Sequence, residues 1–167
     1  LLSRRQRQMC IRDRIRNERD PGVHYRVYSY EGWYAYISSL ENYYACSMKL
    51  LTQEARDGLF GVRNRPVLTK VRNSPPTRYS AGSDVTNSVI ADGCVIEGSV
   101  ENSVLFRGCK IKKGAVVKNC VLMQDTVVEP NCNVEYVVTD KNVHITEDKK
   151  LAGTDTFPVF VAKNHSV

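Results

Sequence analysis

Two successive stretches of the sequence decide the fold: TNSVIADGCVIEGSV, residues 86–100, and ENSVLFRGCKIKKGAVV, residues 101–117. Each stretch places a small residue two positions before an aliphatic residue, and this pair recurs after five or six residues. Side chains two residues apart on a strand point to the same face. Each pair therefore predicts one short strand with an inward face, followed by a turn.

The same pattern continues in KNCVLMQDTVVEPNCNV, residues 118–134, and EYVVTDKNVHITEDKKL, residues 135–151. The repeat is 17 residues long, and its first copy is two residues shorter. Three strand-and-turn units in each copy predict three flat sides, which is the pattern of a hexapeptide-repeat parallel β-helix with a triangular section. We predict a mainly β fold of about four coils, with an irregular third side in the short first coil.

Most of the cysteines lie at the small inward positions of this repeat. No CxxC pair occurs, and the cysteine spacings match no zinc signature. Cysteine at a small inward position acts as a small apolar side chain. We therefore predict a core role for four of the six cysteines: Cys94, Cys109, Cys120 and Cys132.

Before the repeat, the sequence predicts a strand and a helix. Residues 24–32 are aromatic and β-branched and end at a glycine, as strands do. The helix is predicted from about Ser39 to Arg56, with a stop at Asp57-Gly58. Ser38 and Glu41 have the spacing of a capping box at its start.

One face of the predicted helix is apolar. Its residues fall at helical spacing, and an isolated helix cannot bury such a stripe. We expect the stripe to close a preceding domain. The stripe consists of Leu40, Tyr43, Tyr44, Met48 and Leu51.

The predicted organisation has five segments. Prolines in the third segment forbid a continuing helix and indicate a linker. The segments are residues 1–14, a non-native adapter-derived stretch; 15–58, the final strand and helix of a truncated preceding domain; 59–82, the linker; 83–151, the β-helix; and 152–167, a C-terminal cap.

The positive charge is concentrated at one end of the chain. The formal net charge is +6, and residues 1–14 hold five arginines and one aspartate, which leaves +2 for the other 153 residues. A natural basic arm is the alternative to an adapter-derived stretch. A charge placed in this way does not indicate a nucleic-acid partner. No run of 18 apolar residues and no secretory signal occur, so we predict no membrane partner and a cytoplasmic location.

One cluster of cations lies along a single repeat: Arg107, Lys110, Lys112 and Lys113. Outward cations on adjacent sides of a coil form a candidate anion- or effector-binding site for a phosphorylated metabolite. The alternative is a solvated face that keeps the β-helix soluble.

His144 is predicted to point outward, because Val143 and Ile145 on either side of it point inward. Hexapeptide acyltransferases use an outward histidine as general base, whereas an ordinary surface histidine is the alternative. No Gly-rich phosphate loop, Ser/His/Asp set or paired catalytic carboxylates can be assembled. Local chemistry alone therefore favours a structural or assembly module without catalytic or metal-binding residues.

Three stretches resemble the C-terminal part of glucose-1-phosphate adenylyltransferase. They are YISSLENYYACSMKLL (36–51), RPVLTKVRNSPPTRY (65–79) and NSVIADGCVIEGSVENSVLFRGCKI (87–111). The resemblance implies a left-handed β-helix and a nucleotidyltransferase domain N-terminal to residue 1. It also implies a full-length enzyme that makes ADP-glucose and diphosphate from ATP and glucose 1-phosphate, with Mg²⁺, for glycogen biosynthesis.

Tyr36 departs from that family. It stands where the catalytic subunits carry an aspartate that helps to hold magnesium, and a tyrosine cannot replace a carboxylate ligand for a hard cation. The chain thus resembles the accessory, GlgD-type subunit, which implies a non-catalytic role in subunit assembly and allosteric control. The implied partner is a catalytic adenylyltransferase subunit in a hetero-oligomer, and no cofactor is expected in this chain. The alternatives are the catalytic subunit of the same enzyme and a hexapeptide-repeat acyltransferase.

Overall fold

The computed structural model describes residues 26–64 and 66–167. The chain divides into two units, Leu1–Glu31 and Gly32–Val167. The predicted segment 1–14 lies outside the described residues. The strand predicted at 24–32 is not formed in its described part, residues 26–32. A strand requires a neighbouring strand for its backbone hydrogen bonds, and none of the described strands pairs with this segment.

Two short helices replace the single predicted helix: α1, Leu40–Lys49, and α2, Gln53–Phe60. The break lies at Thr52, whose hydroxyl donates to the carbonyl of Lys49 at 2.8 Å and accepts from the N–H of Ala55 at 3.4 Å. The Arg56 guanidinium donates to two further carbonyls at the end of α1. Because these groups satisfy the helix termini, one chain of polar contacts ends α1 and begins α2.

The ends of the predicted helix are shifted. The capping box predicted from Ser38 and Glu41 is wrong by one residue, because Ser39 is the N-cap and its Oγ accepts from the N–H of Asn42 at 3.2 Å. Glu41 stays in the first turn, and a hydrogen bond with Ser39 lowers the pKa of its carboxyl group. The predicted stop at Gly58 lies inside α2.

Within the described residues, fifteen strands form three parallel five-stranded sheets, one for each side of the β-helix. Sheet A contains β1 Arg78–Tyr79, β4 Val95–Ile96, β7 Lys110–Ile111, β10 Val127–Val128 and β13 His144–Ile145. Sheet B contains β2 Asp84–Thr86, β5 Ser99–Glu101, β8 Val116–Lys118, β11 Asn133–Glu135 and β14 Lys150–Ala152. Sheet C contains β3 Val89–Ile90, β6 Val104–Leu105, β9 Val121–Leu122, β12 Val137–Thr139 and β15 Val159–Val161.

The prediction of a mainly β, parallel β-helical fold is confirmed, whereas its left-handedness stays a prediction. Each strand pairs with the strand one coil later, as in Leu105↔Leu122. The first strand begins at Arg78, inside the predicted linker, and β15 falls inside the predicted cap. The domain boundaries themselves stay predictions.

The core is the column of inward side chains along the axis. Ile96, Ile111 and Ile145 are fully buried in it. Each such side chain contributes about 1.5–3 kcal/mol relative to an exposed one. The core role predicted for the four cysteines is confirmed, because each is at most 1% exposed. Burial raises the pKa of the Cys120 thiol to about 12.

The turns between the sheets use the left-handed backbone region. Most of these positions hold Gly, Asn or Asp, which adopt a positive φ at low cost. The exception is Tyr136, with φ 52°, at the position where the preceding coils carry Asn102 and Asn119. Its half-buried side chain packs in the same apolar cluster as Tyr44 of α1. This packing holds a tyrosine in a conformation that it rarely adopts.

Candidate functional site: the covered face of sheet C and the connector

One outward column of sheet C is apolar and buried. Its members alternate with side chains that point into the core, yet they are only 6%, 0% and 0% exposed: Val104, Val121 and Val138. Coils lie about 4.8 Å apart, and a helix of ten residues is about 15 Å long. The α1 helix therefore spans three coils and covers this column.

The apolar stripe of α1 packs on this column of its own chain. That it also closes a preceding domain stays a prediction. Tyr44 joins the three valines in one buried cluster. The partly buried members of this cluster include the rest of the predicted stripe: Leu40, Tyr43, Met48 and Leu51. The valines stand one above the other in register, and they give the helix a continuous apolar surface within its own chain.

A hydrogen bond fixes where α1 sits on sheet C. The hydroxyl of Tyr44, which is 4% exposed, donates to the carbonyl of Asn119 at 2.8 Å. Burial raises the pKa of this hydroxyl well above its usual range, so it stays a donor. Asn119 lies at a left-handed turn before β9. The helix is therefore tied to one particular coil.

The sequence contains a signal for this covered face that the sequence prediction missed. Every coil carries an apolar residue at the outward position of sheet C: Val89, Val104, Val121, Val138 and Phe160. The outward column of sheet A is mixed instead: Arg78, Val95, Lys110, Val127 and His144. A purely apolar outward column indicates a side that another element covers.

The first of the four predicted cations is held by an ion pair. Arg107 Nε lies 2.8 Å from Asp92 Oδ1, and its Nη1 donates to the carbonyl of Lys70 at 3.2 Å. Ser74 also hydrogen-bonds to Asp92, and the contacts with Arg107 and Ser74 lower the pKa of this carboxyl group. We call these groups of Asp92, Arg107, Ser74 and Lys70 the Arg107 clamp. It joins the segment before β1 to the β-helix.

The lysines of the predicted cluster occupy separate environments. Lys110 points outward from β7, between Val95 and Val127 of the neighbouring coils. Lys112 follows β7, and the register of sheet A places it between Glu97 and Glu129. Two flanking carboxylates weaken the attraction of an anion to Lys112.

Lys113 lines a groove of about 630 Å³ at a corner between sheets A and B. The groove lies where the short first coil lacks two residues. At its centre is Gly98, where a Cβ would lie 2.3 Å from the carbonyl oxygen of Ala115, so a side chain does not fit. The other lining residues include Gly82, Glu97, Gly114 and Asn131. The structure thus places the four cations along the sheet A side of one coil, with Arg107 and Lys113 at its two corners, and their anion-binding role stays a prediction.

His144 is exposed on β13, as expected for an outward residue. Its Nε2 lies 2.8 Å from Glu129 Oε1. This carboxylate occupies one of the two ring nitrogens, so the histidine belongs to a surface pair. The contact leaves the acyltransferase alternative without an observation that favours it.

Tyr36 precedes α1 and is 73% exposed. A neutral phenol is a poor ligand for Mg²⁺. Among residues 26–64 and 66–167, no group of three or more His, Cys, Asp and Glu side chains could hold a metal ion. The residues around Tyr36 therefore do not fit a magnesium site. In the same part of the chain, no helix has the length and apolarity needed to cross a membrane.

Comparison with known proteins agrees with the fold and with the resemblance. Residues 75–157 match the family described as "GlmU-like, C-terminal hexapeptide". The glycogen biosynthesis protein GlgD of Bacillus subtilis (strain 168) is 42% identical over 136 residues, which are 81% of this chain and 39% of that protein. GlgD of Geobacillus stearothermophilus is 55% identical over 71 residues, or 42% of this chain and 20% of that protein.

Glucose-1-phosphate adenylyltransferases are similar as well. The enzyme of Geobacillus stearothermophilus is 37% identical over 92 residues, which are 55% of this chain and 24% of that protein. The chain thus spans about two fifths or less of these relatives.

The fold defines the class: the chain is a parallel β-helix protein, and its residues 75–157 match a hexapeptide-repeat family. Within that class, its predicted resemblance to GlgD and to the C-terminal part of glucose-1-phosphate adenylyltransferase is confirmed.

Proposed function

We propose that the chain is part of a non-catalytic, regulatory subunit of glucose-1-phosphate adenylyltransferase, and that it acts in glycogen biosynthesis in the cytoplasm. One comparison carries this proposal. Over similar lengths, the chain is 42% identical to the GlgD of Bacillus subtilis but 29% identical to the glucose-1-phosphate adenylyltransferase of Bacillus mycoides (strain KBAB4). The chain therefore resembles the GlgD type more than the catalytic type.

The chemistry of position 36 supports a subunit without catalysis. An exposed phenol supplies no carboxylate for Mg²⁺, the ion that would neutralise phosphate charge during nucleotidyl transfer. In this proposal, Mg²⁺ and the reacting phosphates are held by a catalytic adenylyltransferase subunit. The chain contributes to a hetero-oligomer with that subunit.

The geometry supports a role in assembly and allosteric control. The α1 helix covers sheet C and is held there by the hydrogen bond of Tyr44, so this side of the β-helix is occupied within the chain. The outward residues of sheet B include charged side chains, such as the pair of Lys118 and Glu101 at 2.9 Å. Rigid, charged sides of this kind suit contacts with a partner subunit of complementary charge.

A chimera tests this function. Residues 26–167 replace the matching part of the Bacillus subtilis GlgD, and the chimera is mixed with the catalytic adenylyltransferase of the same bacterium. We expect the two chains to co-elute in size-exclusion chromatography, and the chimera to change the rate or the effector response of ADP-glucose synthesis. Failure to co-elute, while unmodified GlgD does so, would contradict the proposal. Acetyl-coenzyme A binding that is lost in His144→Ala would favour the acyltransferase instead.

A further inference from the structure

The connector, residues 66–77, reaches the β-helix in two parts that are held differently. Its last residues are bound by the turn before β4: the N–H of Gly93 donates to the carbonyl of Pro75 at 2.8 Å, and Thr77 Oγ1 donates to the carbonyl of Ala91 at 2.7 Å. Its earlier residues have no comparable backbone contacts among those that the structure describes. There the Arg107 clamp supplies the contacts.

Apolar packing does not hold this earlier part. Val67, Leu68 and Val71 are 50%, 89% and 86% exposed. The carbonyl of Lys70 and the side chain of Ser74 are instead bound by Arg107 and Asp92. The position of residues 66–74 on the β-helix therefore depends mainly on the clamp.

The clamp is of a kind that opens readily. The side chains of Arg107 and Asp92 are 33% and 36% exposed. Ion pairs at this exposure are weak and are screened by salt. An arginine that donates to a carboxylate can donate in the same geometry to a phosphate group, which often carries more charge.

We propose that the Arg107 clamp is a releasable anchor, which a multivalent phosphate anion opens by taking the guanidinium of Arg107 from Asp92 and Lys70. An anion that takes Nε–H and Nη1–H of Arg107 uses the groups that the closed clamp uses, so this bound state and the closed clamp exclude each other. Closed, the clamp holds residues 66–74 on the β-helix; open, it frees them. The biological role of the clamp rests on the proposed regulatory function. In that function, binding of an anionic effector would release residues 66–74.

Limited digestion of the 167-residue chain with trypsin reports the state of the clamp. The carbonyl that Arg107 holds belongs to the Lys70–Val71 bond, which trypsin cleaves. Arg63, in an exposed turn that precedes the connector, gives an internal reference. The measured quantity is the ratio of initial cleavage at Lys70 to that at Arg63, by mass spectrometry. This ratio cancels any effect of an additive on trypsin itself.

We expect Arg107→Ala to raise the ratio by up to about fivefold, the range that loss of a partly exposed ion pair allows. Asp92→Asn is expected to raise it less, because Arg107 keeps its contact with Lys70. The matched control is Lys118→Ala, which removes a surface ion pair of similar exposure on sheet B and should leave the ratio unchanged. Circular dichroism of each variant verifies that the β-helix is folded.

Millimolar pyrophosphate is the anion probe. It should raise the ratio in the unmodified chain, beyond the effect of sodium chloride at equal ionic strength, and should change nothing in Arg107→Ala. An unchanged ratio in Arg107→Ala would overturn the anchor, and an equal pyrophosphate effect in that variant would overturn the role of the anion. Because ADP-glucose is not measured, the clamp and the regulatory function can fail independently.

Discussion

The hydroxyl of Tyr44 donates to the backbone carbonyl of Asn119, 75 residues later in the chain, at a distance of 2.8 Å. This bond joins α1 to one coil of the β-helix inside a buried apolar cluster. Removal of the hydroxyl leaves a carbonyl without its donor in a place that water reaches poorly. Such a loss costs about 1–3 kcal/mol.

Tyr44→Phe should therefore lower the free energy of unfolding by about 1–3 kcal/mol. The measurement is equilibrium unfolding in urea. Tyr34→Phe is the control, because the side chain of Tyr34 is 77% exposed and should lose less than about 0.5 kcal/mol. Equal stabilities for the two variants would contradict the role of the Tyr44 hydroxyl.

Val121→Thr should destabilise the protein by about 1–3 kcal/mol, because it buries a hydroxyl group beneath α1. Val121 is 0% exposed although it points outward from sheet C. Val127→Thr is a matched control at the outward position of sheet A, where the side chain is only half-buried. A melting temperature that falls as far in Val127→Thr as in Val121→Thr would show that α1 does not cover the valine column.

Arg107→Ala should raise the pKa of Asp92. The hydrogen bond with Arg107 is the largest cause of its lowered value, and it is lost in the variant. A lowered pKa in the folded state stabilises the protein above the ordinary aspartate pKa, and this stabilisation is lost as the pH falls through the lowered value. Titration of the Asp92 carboxyl carbon by NMR measures the change. An unchanged pKa would mean that the ion pair does not persist in solution.

The core cysteines should resist alkylation in the folded protein. The inward positions of Cys94, Cys109 and Cys132 leave each at most 1% exposed, and burial raises the pKa of Cys120 to about 12. The thiols of all four core cysteines are therefore inaccessible, and at Cys120 the reactive thiolate is scarce as well. Iodoacetamide at pH 8, followed by mass spectrometry, should label the half-buried Cys46 before the four core cysteines. Rapid labelling of Cys120 without denaturant would contradict its place in the core.

The sequence reveals the inward columns because they repeat with the period of a strand, and every coil imposes the same requirement. The strand expected at 24–32 could not be settled in this way, since a strand depends on a partner far from it in sequence. The second helix was missed because Thr52 ends one helix and begins another. The spacing of apolar residues continues across Thr52 and therefore does not reveal the break.

The candidate site was only partly predictable. The cations were visible in the sequence, but Arg107 was grouped with its lysine neighbours when its partner, Asp92, lies one coil earlier. A comparison of residues 15 apart, the length of the short coil, would have paired them. The apolar outward residues of sheet C likewise indicated, in the sequence, that another element covers this sheet. What the column could not reveal was that α1 of the same chain covers it.

The central proposal is that the chain belongs to a non-catalytic subunit. The most direct measurement is ADP-glucose formation from ATP, glucose 1-phosphate and Mg²⁺ by a second chimera alone, in which residues 26–167 replace the matching part of the catalytic adenylyltransferase. We predict no ADP-glucose above that made by a no-enzyme control, and synthesis only when the catalytic subunit is present. Sustained synthesis by the chimera alone, at a rate comparable with that of the catalytic subunit, would contradict the account and identify the chain with the catalytic type.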